Sequence, residues 1–213
     1  MAVDPSLGLS GTVTTGIIGA LNRPVTTQAT GGSPGQLRGS AATNAVVTSA
    51  IQTSPAINPG NAGGALIAAD GKLIGINRSI ASLDASSVVQ SGNIGIGCAI
   101  PVNEARSIVD QLIAAGTARH AYTGISTRDT TVTTGGSKRQ AALIHSVSAG
   151  TPAASAGPQR GDAVIAIDGQ PVDSSESLIA SVHVCNVGDT VTLAVIRGWQ
   201  QQDLKVTPTA RPA

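Results

Sequence analysis

A chain of 213 residues has room for one large domain or two of ordinary size, and a 41% hydrophobic content excludes wholesale disorder. A formal net charge of +1 with 12% charged residues creates no field that would gather nucleic acid or an anionic membrane, so neither partner is expected. No apolar run approaches the ~18 residues that a membrane helix needs, so no spanning segment is expected in this chain.

The opening residues Met1-Ala2-Val3-Asp4-Pro5 have neither a basic nor an apolar signal region, and no signal peptide is expected in them. Residues 9–21 are rich in β-branched residues and glycine and read as one strand with a bend. Residues 22–45 are a polar run that reads as a loop, either functional or simply flexible. Asp70-Gly71, flanked by Ala65-Leu66-Ile67 and Leu73-Ile74-Gly75-Ile76, signals a two-residue hairpin turn of the I′ kind. A Ser-rich loop over 82–92 precedes a strand over Ile94–Pro101. Val102, Ala105, Ile108, Val109, Leu112 and Ile113 then recur at helical spacing, with Asn103 as a cap at the start and Gly116 at the end. After a short linker over 117–121 the pattern changes to short strands and two short helices, one of them near 174–184. Cys98 and Cys185 lie far apart in regular structure and read as two buried thiols rather than a disulfide, and no metal motif includes them.

One stretch stands out, Ile57-Asn58-Pro59-Gly60-Asn61-Ala62-Gly63-Gly64-Ala65-Leu66, where three glycines fall within five residues. Such a density demands a tight turn, positive φ, or close approach by another backbone or a ligand. The stretch resembles the nucleophile loop A-I-N-P-G-N-S-G-G of the HtrA/DegP family of trypsin-like serine proteases. Asp4–Ile17 is similar to the segment that opens the second barrel of that family, and Gly95–Pro101 to its G-I-G-F-A-I-P strand, with Cys98 in place of the aromatic. Pro152–Val172 resembles the P-A-A-x-A-G-x-x-x-G-D-x-V-I-x-I-D-G-x-P-V stretch of an HtrA-type PDZ domain.

The resemblance implies a mainly β chain: a second trypsin-like β-barrel over 1–116, a linker over 117–121, and an α+β PDZ domain over 122–213. It places Ala62 where the family carries its nucleophilic Ser, and a methyl group can neither lose a proton nor attack. Gly60 and Ala62 would supply the oxyanion N–H groups. Ile76, Asn77 and Ile96 would line the primary specificity pocket, suiting a small or medium aliphatic side chain, with Arg78 reading as a solvated charge. The family's His and Asp belong to a first barrel, which is expected upstream of Asp4. His120, His145 and His183 read as ordinary domain histidines.

In the PDZ-like part the same resemblance makes Tyr122-Thr123-Gly124-Ile125 the loop that receives a peptide carboxylate, with Leu178, Ile179 and Val182 lining the pocket for the last side chain. The implied parent is an endopeptidase of protein quality control outside the cytoplasm, without metal or organic cofactor. Its partners are unfolded polypeptides and peptide C-termini, and a homo-oligomeric parent stays open. The alternative is a non-catalytic, chaperone-like peptide binder.

Overall fold

The computed structural model describes residues 2–4, 12–28, 45–55, 57, 61–80, 95–134 and 136–211. The early strands are β1 (Ala2–Asp4), β2 (Thr12–Thr14), β3 (Ile18–Gln28), β4 (Ala45–Thr53), β5 (Ala65–Ile67), β6 (Leu73–Ile80) and β7 (Gly97–Pro101), followed by α1 (Val102–Ala115). The later elements are β8 (Ala121–Tyr122), β9 (Ile125–Thr134), β10 (Ser137–Val147), α2 (Pro152–Ala156), β11 (Ala163–Ile167), β12 (Gln170–Pro171), α3 (Ser175–Val184), β13 (Val191–Arg197), β14 (Gln200–Val206) and β15 (Thr209–Ala210). The chain is mainly β, as its β-branched segments require. It forms two compact units: Met1–Arg23 with Ser49–Arg119, and Pro24–Thr48 with His120–Ala213.

A seven-stranded sheet runs in the order β2-β1-β5-β6-β7-β4-β3. Ile51, Leu66 and Ala99 form its buried cluster, with Ile74 packed against them. The segment 9–21 is not one bent strand, because β2 ends at Thr14 and β3 starts at Ile18. Between them a Cβ on Gly16 would run into the Pro55 nitrogen at 2.5 Å, so only glycine fits. The break is fastened where Ser54 N donates to Ile17 O at 3.0 Å and Ile17 N donates to Ser54 Oγ at 3.0 Å. Residues 22–28 are also strand rather than loop, whereas 29–44 and the Ser-rich 82–92 lie outside the described residues.

The β5–β6 hairpin turns differently from the expected I′ form. Gly71 has φ +83°, Asp70 is not among the positive-φ residues, and Gly71 N donates to Ala68 O at 3.1 Å. One left-handed glycine after a right-handed pair gives a longer turn with a bulge, and the ladder duly shifts between Leu66 and Ile67. Helix α1 lies on β6 and β7. Asn103 sits inside it rather than capping it, since Pro101 holds the N-cap position without a side-chain bond, while Gly116 ends it as expected with φ +69°.

The second unit carries a six-stranded sheet in the order β14-β13-β11-β10-β9, with β12 on β11, and a small β15–β8 pair. One face buries Ala142, Ile144, Val164, Ile167, Val172, Leu178, Val182, Leu193, Val195 and Val206. Helix α3 closes this core and starts with a reciprocal cap, in which Ser174 Oγ accepts from Ser177 N at 3.1 Å and Ser174 N donates to Ser177 Oγ at 3.2 Å.

Candidate functional site

The glycine-rich stretch forms a turn pinned to β6. Gly64 N donates to Asn61 O at 3.0 Å, Gly63 N donates to Asn77 O at 2.7 Å, and Asn77 N donates to Gly64 O at 2.8 Å. Gly63 takes φ +91°, which an L side chain would strain. Asn61 and Ile57 are buried, whereas Ala62 is exposed at the tip. A side chain at position 62 is therefore presented on a fixed backbone, but a methyl group offers no nucleophile. Asn58, Pro59 and Gly60, the last a candidate oxyanion donor, lie outside the described residues.

Strand alternation turns the neighbouring side chains Ile76 and Asn77 to opposite faces of β6. Asn77 is 1% exposed and its Nδ2 reaches Ala65 O at 3.5 Å, while its backbone N–H and C=O hold the turn at Gly64 and Gly63. Ile96 is exposed, and a Cβ on Gly97 would meet Ile57 Cδ1 at 2.6 Å. Arg78 is partly buried rather than solvated. Burial pushes Cys98 and Glu104 up from their ordinary pKa values, and the charge of Arg78 opposes both shifts.

In the second unit, Tyr122-Thr123-Gly124-Ile125 connects β8 to β9 and is held through its carbonyls. Ala153 N donates to Thr123 O at 3.0 Å and Ser148 N donates to Gly124 O at 2.9 Å. Gly124 has φ +83°, and a Cβ there would overlap the side chain of Thr151, so this glycine is fixed by packing as well as by conformation. Beside the loop lies a cavity of about 440 Å³, lined by Tyr122, Thr123, Ile125, Leu178, Ile179 and Val182 among others. Six of the residues read from sequence thus meet around one cavity. Leu178 and Val182 belong to the core as well, while Ile179 is 40% exposed.

The Trypsin family profile matches residues 7–109 and the PDZ domain profile matches 121–207. Serine protease PepD of Mycobacterium tuberculosis is 44% identical over 91% of this chain and 38% of its own length. A probable periplasmic serine endoprotease DegP-like of Halomonas elongata is 34% identical over 97% of this chain and 40% of its own length. Among solved structures, HtrA-type protease AlgWS227A with decapeptide has a TM-score of 0.53 and 30% identity, covering 99% of this chain and 59% of that one.

The chain belongs to the HtrA family of trypsin-like proteases with a PDZ domain. It spans about 38% to 40% of the length of these two curated relatives.

Within this HtrA segment the structure adds residues that sequence reading passed over. Asp162, 1% exposed, binds Arg197 in a fork, with Arg197 Nε to Oδ1 and Arg197 Nη2 to Oδ2 both at 2.7 Å. Gln159 N also donates to Asp162 Oδ2 at 2.8 Å, and Arg197 Nη2 donates to Gly157 O at 2.9 Å. Asp162→Ala should cost about 2 kcal/mol, since it strips a buried acceptor from three donors. Urea unfolding checks this, and an unchanged midpoint would contradict it.

His183 also lines the cavity, together with Thr26, Val47, Thr127, Glu176 and Arg211. Its Nδ1 lies 3.1 Å from Val47 O, and its ring centroid is 5.6 Å from that of His120. Burial holds the His183 pKa below its ordinary 6.5; the positive charges of His120 and Arg211 act in the same direction, and the bond to Val47 O opposes them. Below the unfolded value the unfolded chain therefore takes up more protons, so stability present above pH 6.5 is lost as pH falls. Thermal melts should show a steeper loss on acidification for the parent than for His183→Gln. Parallel pH profiles would contradict the assignment.

Cys98 and Cys185 are free thiols, but only Cys98 is buried as expected, Cys185 being half-buried. Burial pushes Cys185 up to about 11, which leaves it a poor nucleophile at neutral pH.

Proposed function

We propose that this chain is the nucleophile-loop barrel and PDZ portion of an extracytoplasmic HtrA-type serine endopeptidase, silent in hydrolysis as written but competent to bind peptide C-termini. In this reading the barrel takes residues 1–116 and the PDZ domain 122–213, and the substrates of the parent are unfolded polypeptides. The observation that carries the reading is the turn braced by Asn77, which presents position 62 on a fixed backbone although an alanine occupies it. Relatives named as periplasmic support the compartment.

In this reading Ala62 N–H, with Gly60 N–H, forms the oxyanion site, and the backbone around Ile76, Asn77 and Ile96 borders the specificity pocket. The 122–125 loop takes the carboxylate of a peptide that adds to β9, and Leu178, Ile179 and Val182 take its last side chain. Ala62 itself favours a second role as a non-catalytic peptide binder. Restoring Ser at 62 and joining the chain to a first trypsin-like barrel that carries His and Asp tests the protease reading. Hydrolysis is expected only when both are present, and its absence then would leave the peptide-binding role.

A further inference from the structure

The cavity beside β9 and α3 has ends of opposite charge. At one end Arg211 and His183 line it next to β8, where Arg211 N donates to His120 O at 3.1 Å. Towards the other end the charged residue in its wall is Glu176, in the first turn of α3. The orientation of the two walls follows from one bond: Ser175 N donates to Asp129 Oδ1 at 2.7 Å, which sets the far part of β9 against the start of α3. Passing along the cavity from the 122–125 loop, β9 therefore presents Ile125, then Thr127, with Asp129 beyond the lining at the start of α3, while α3 presents Val182, then Ile179, then Glu176.

An extended peptide on this edge shows alternate side chains to the cavity. With its last side chain against Ile125 and Val182, the residue two positions earlier falls opposite Thr127, beside Ile179 and within reach of Glu176. Arg128 alternates to the other face of β9 and does not compete. Ile179, partly exposed, offers an apolar track for a long aliphatic stem whose charged head continues to the carboxylate.

We propose that the groove prefers C-termini with Lys or Arg two residues before the last, selected by Glu176. The preference rests on the carboxylate-site reading and adds to it a second requirement on the peptide. Because Glu176 is exposed, attraction alone is expected to give about threefold to fivefold. Repulsion of an acidic side chain widens the ratio between opposite charges to about tenfold at low salt.

The test is calorimetry on the full chain with two free-acid hexapeptides ending in Val, which differ only by Lys or Glu at the third position from the end, and with their amidated forms. The Lys peptide should bind about tenfold more tightly at low salt, Glu176→Gln should flatten the ratio, and Glu176→Lys should invert it. Melting curves confirm that each variant is folded. A Lys-to-Glu ratio unchanged in both variants would overturn the role of Glu176 while amide-sensitive binding leaves the groove itself standing. Binding that is indifferent to amidation would overturn both.

Discussion

Casein and chromogenic peptides should remain uncut by this chain, and a serine-directed phosphonate should leave its intact mass unchanged. The turn at 61–64 is firmly held, with Gly63 and Gly64 exchanging bonds with Asn77, so the backbone that carries residue 62 is in place. Residue 62 carries no oxygen, and on the proposed reading none of His120, His145 and His183 serves as its base. Backbone oxyanion donors alone leave about 10³- to 10⁴-fold catalysis over water in triad-deleted proteases, and that level is invisible in a casein assay. Ala62→Ser by itself should change little, because a serine hydroxyl without its base is a weak nucleophile. Rapid turnover by that single variant, measured with a chromogenic peptide, would place the base within this chain and contradict the account.

Amidating the C-terminus of a peptide that ends in an apolar residue should weaken its binding about tenfold to a hundredfold. A short groove of this kind supports affinities near the micromolar range, about −8 kcal/mol, of which the charge-assisted bonds to the terminal carboxylate provide roughly 1.5–3 kcal/mol. The 122–125 loop is suited to this because Thr123 and Gly124 are anchored through their carbonyls, to Ala153 N and Ser148 N. Gly124→Val is a poor probe of this site. Its side chain would collide with Thr151 at positive φ and loosen the loop whether or not a peptide binds there. The peptide is the better place to make the change, and equal affinities for acid and amide would contradict the assignment.

The parts of the fold legible in the sequence were those where local chemistry and packing agree. The periodicity of Val102–Ile113 and the left-handed stop at Gly116 found α1. The β9–β10 hairpin was largely missed because Ser126–Thr134 is polar and mostly exposed, so its ladder leaves no apolar signature. The bulged turn at Asp70-Gly71 was misread because the dipeptide fixes where the chain reverses but not the conformation of the preceding residue. Of the site, the turn at Gly63 and the residues around the 440 Å³ cavity were readable from glycine placement and resemblance. Asp162 with Arg197, and His183 with Val47, were not, because each pair joins positions at least 35 residues apart.

Backbone amide spectra of the chain, recorded while a free-acid peptide with an apolar last residue is added, test the proposed groove most directly. The account predicts shifts concentrated at Thr123, Gly124, Ile125 and Thr127 and along α3 at Glu176, Ile179 and Val182, with the amidated peptide producing little change at the same concentration. Shifts gathered on other strands, or shifts at this loop that persist undiminished with the amidated peptide, would contradict it.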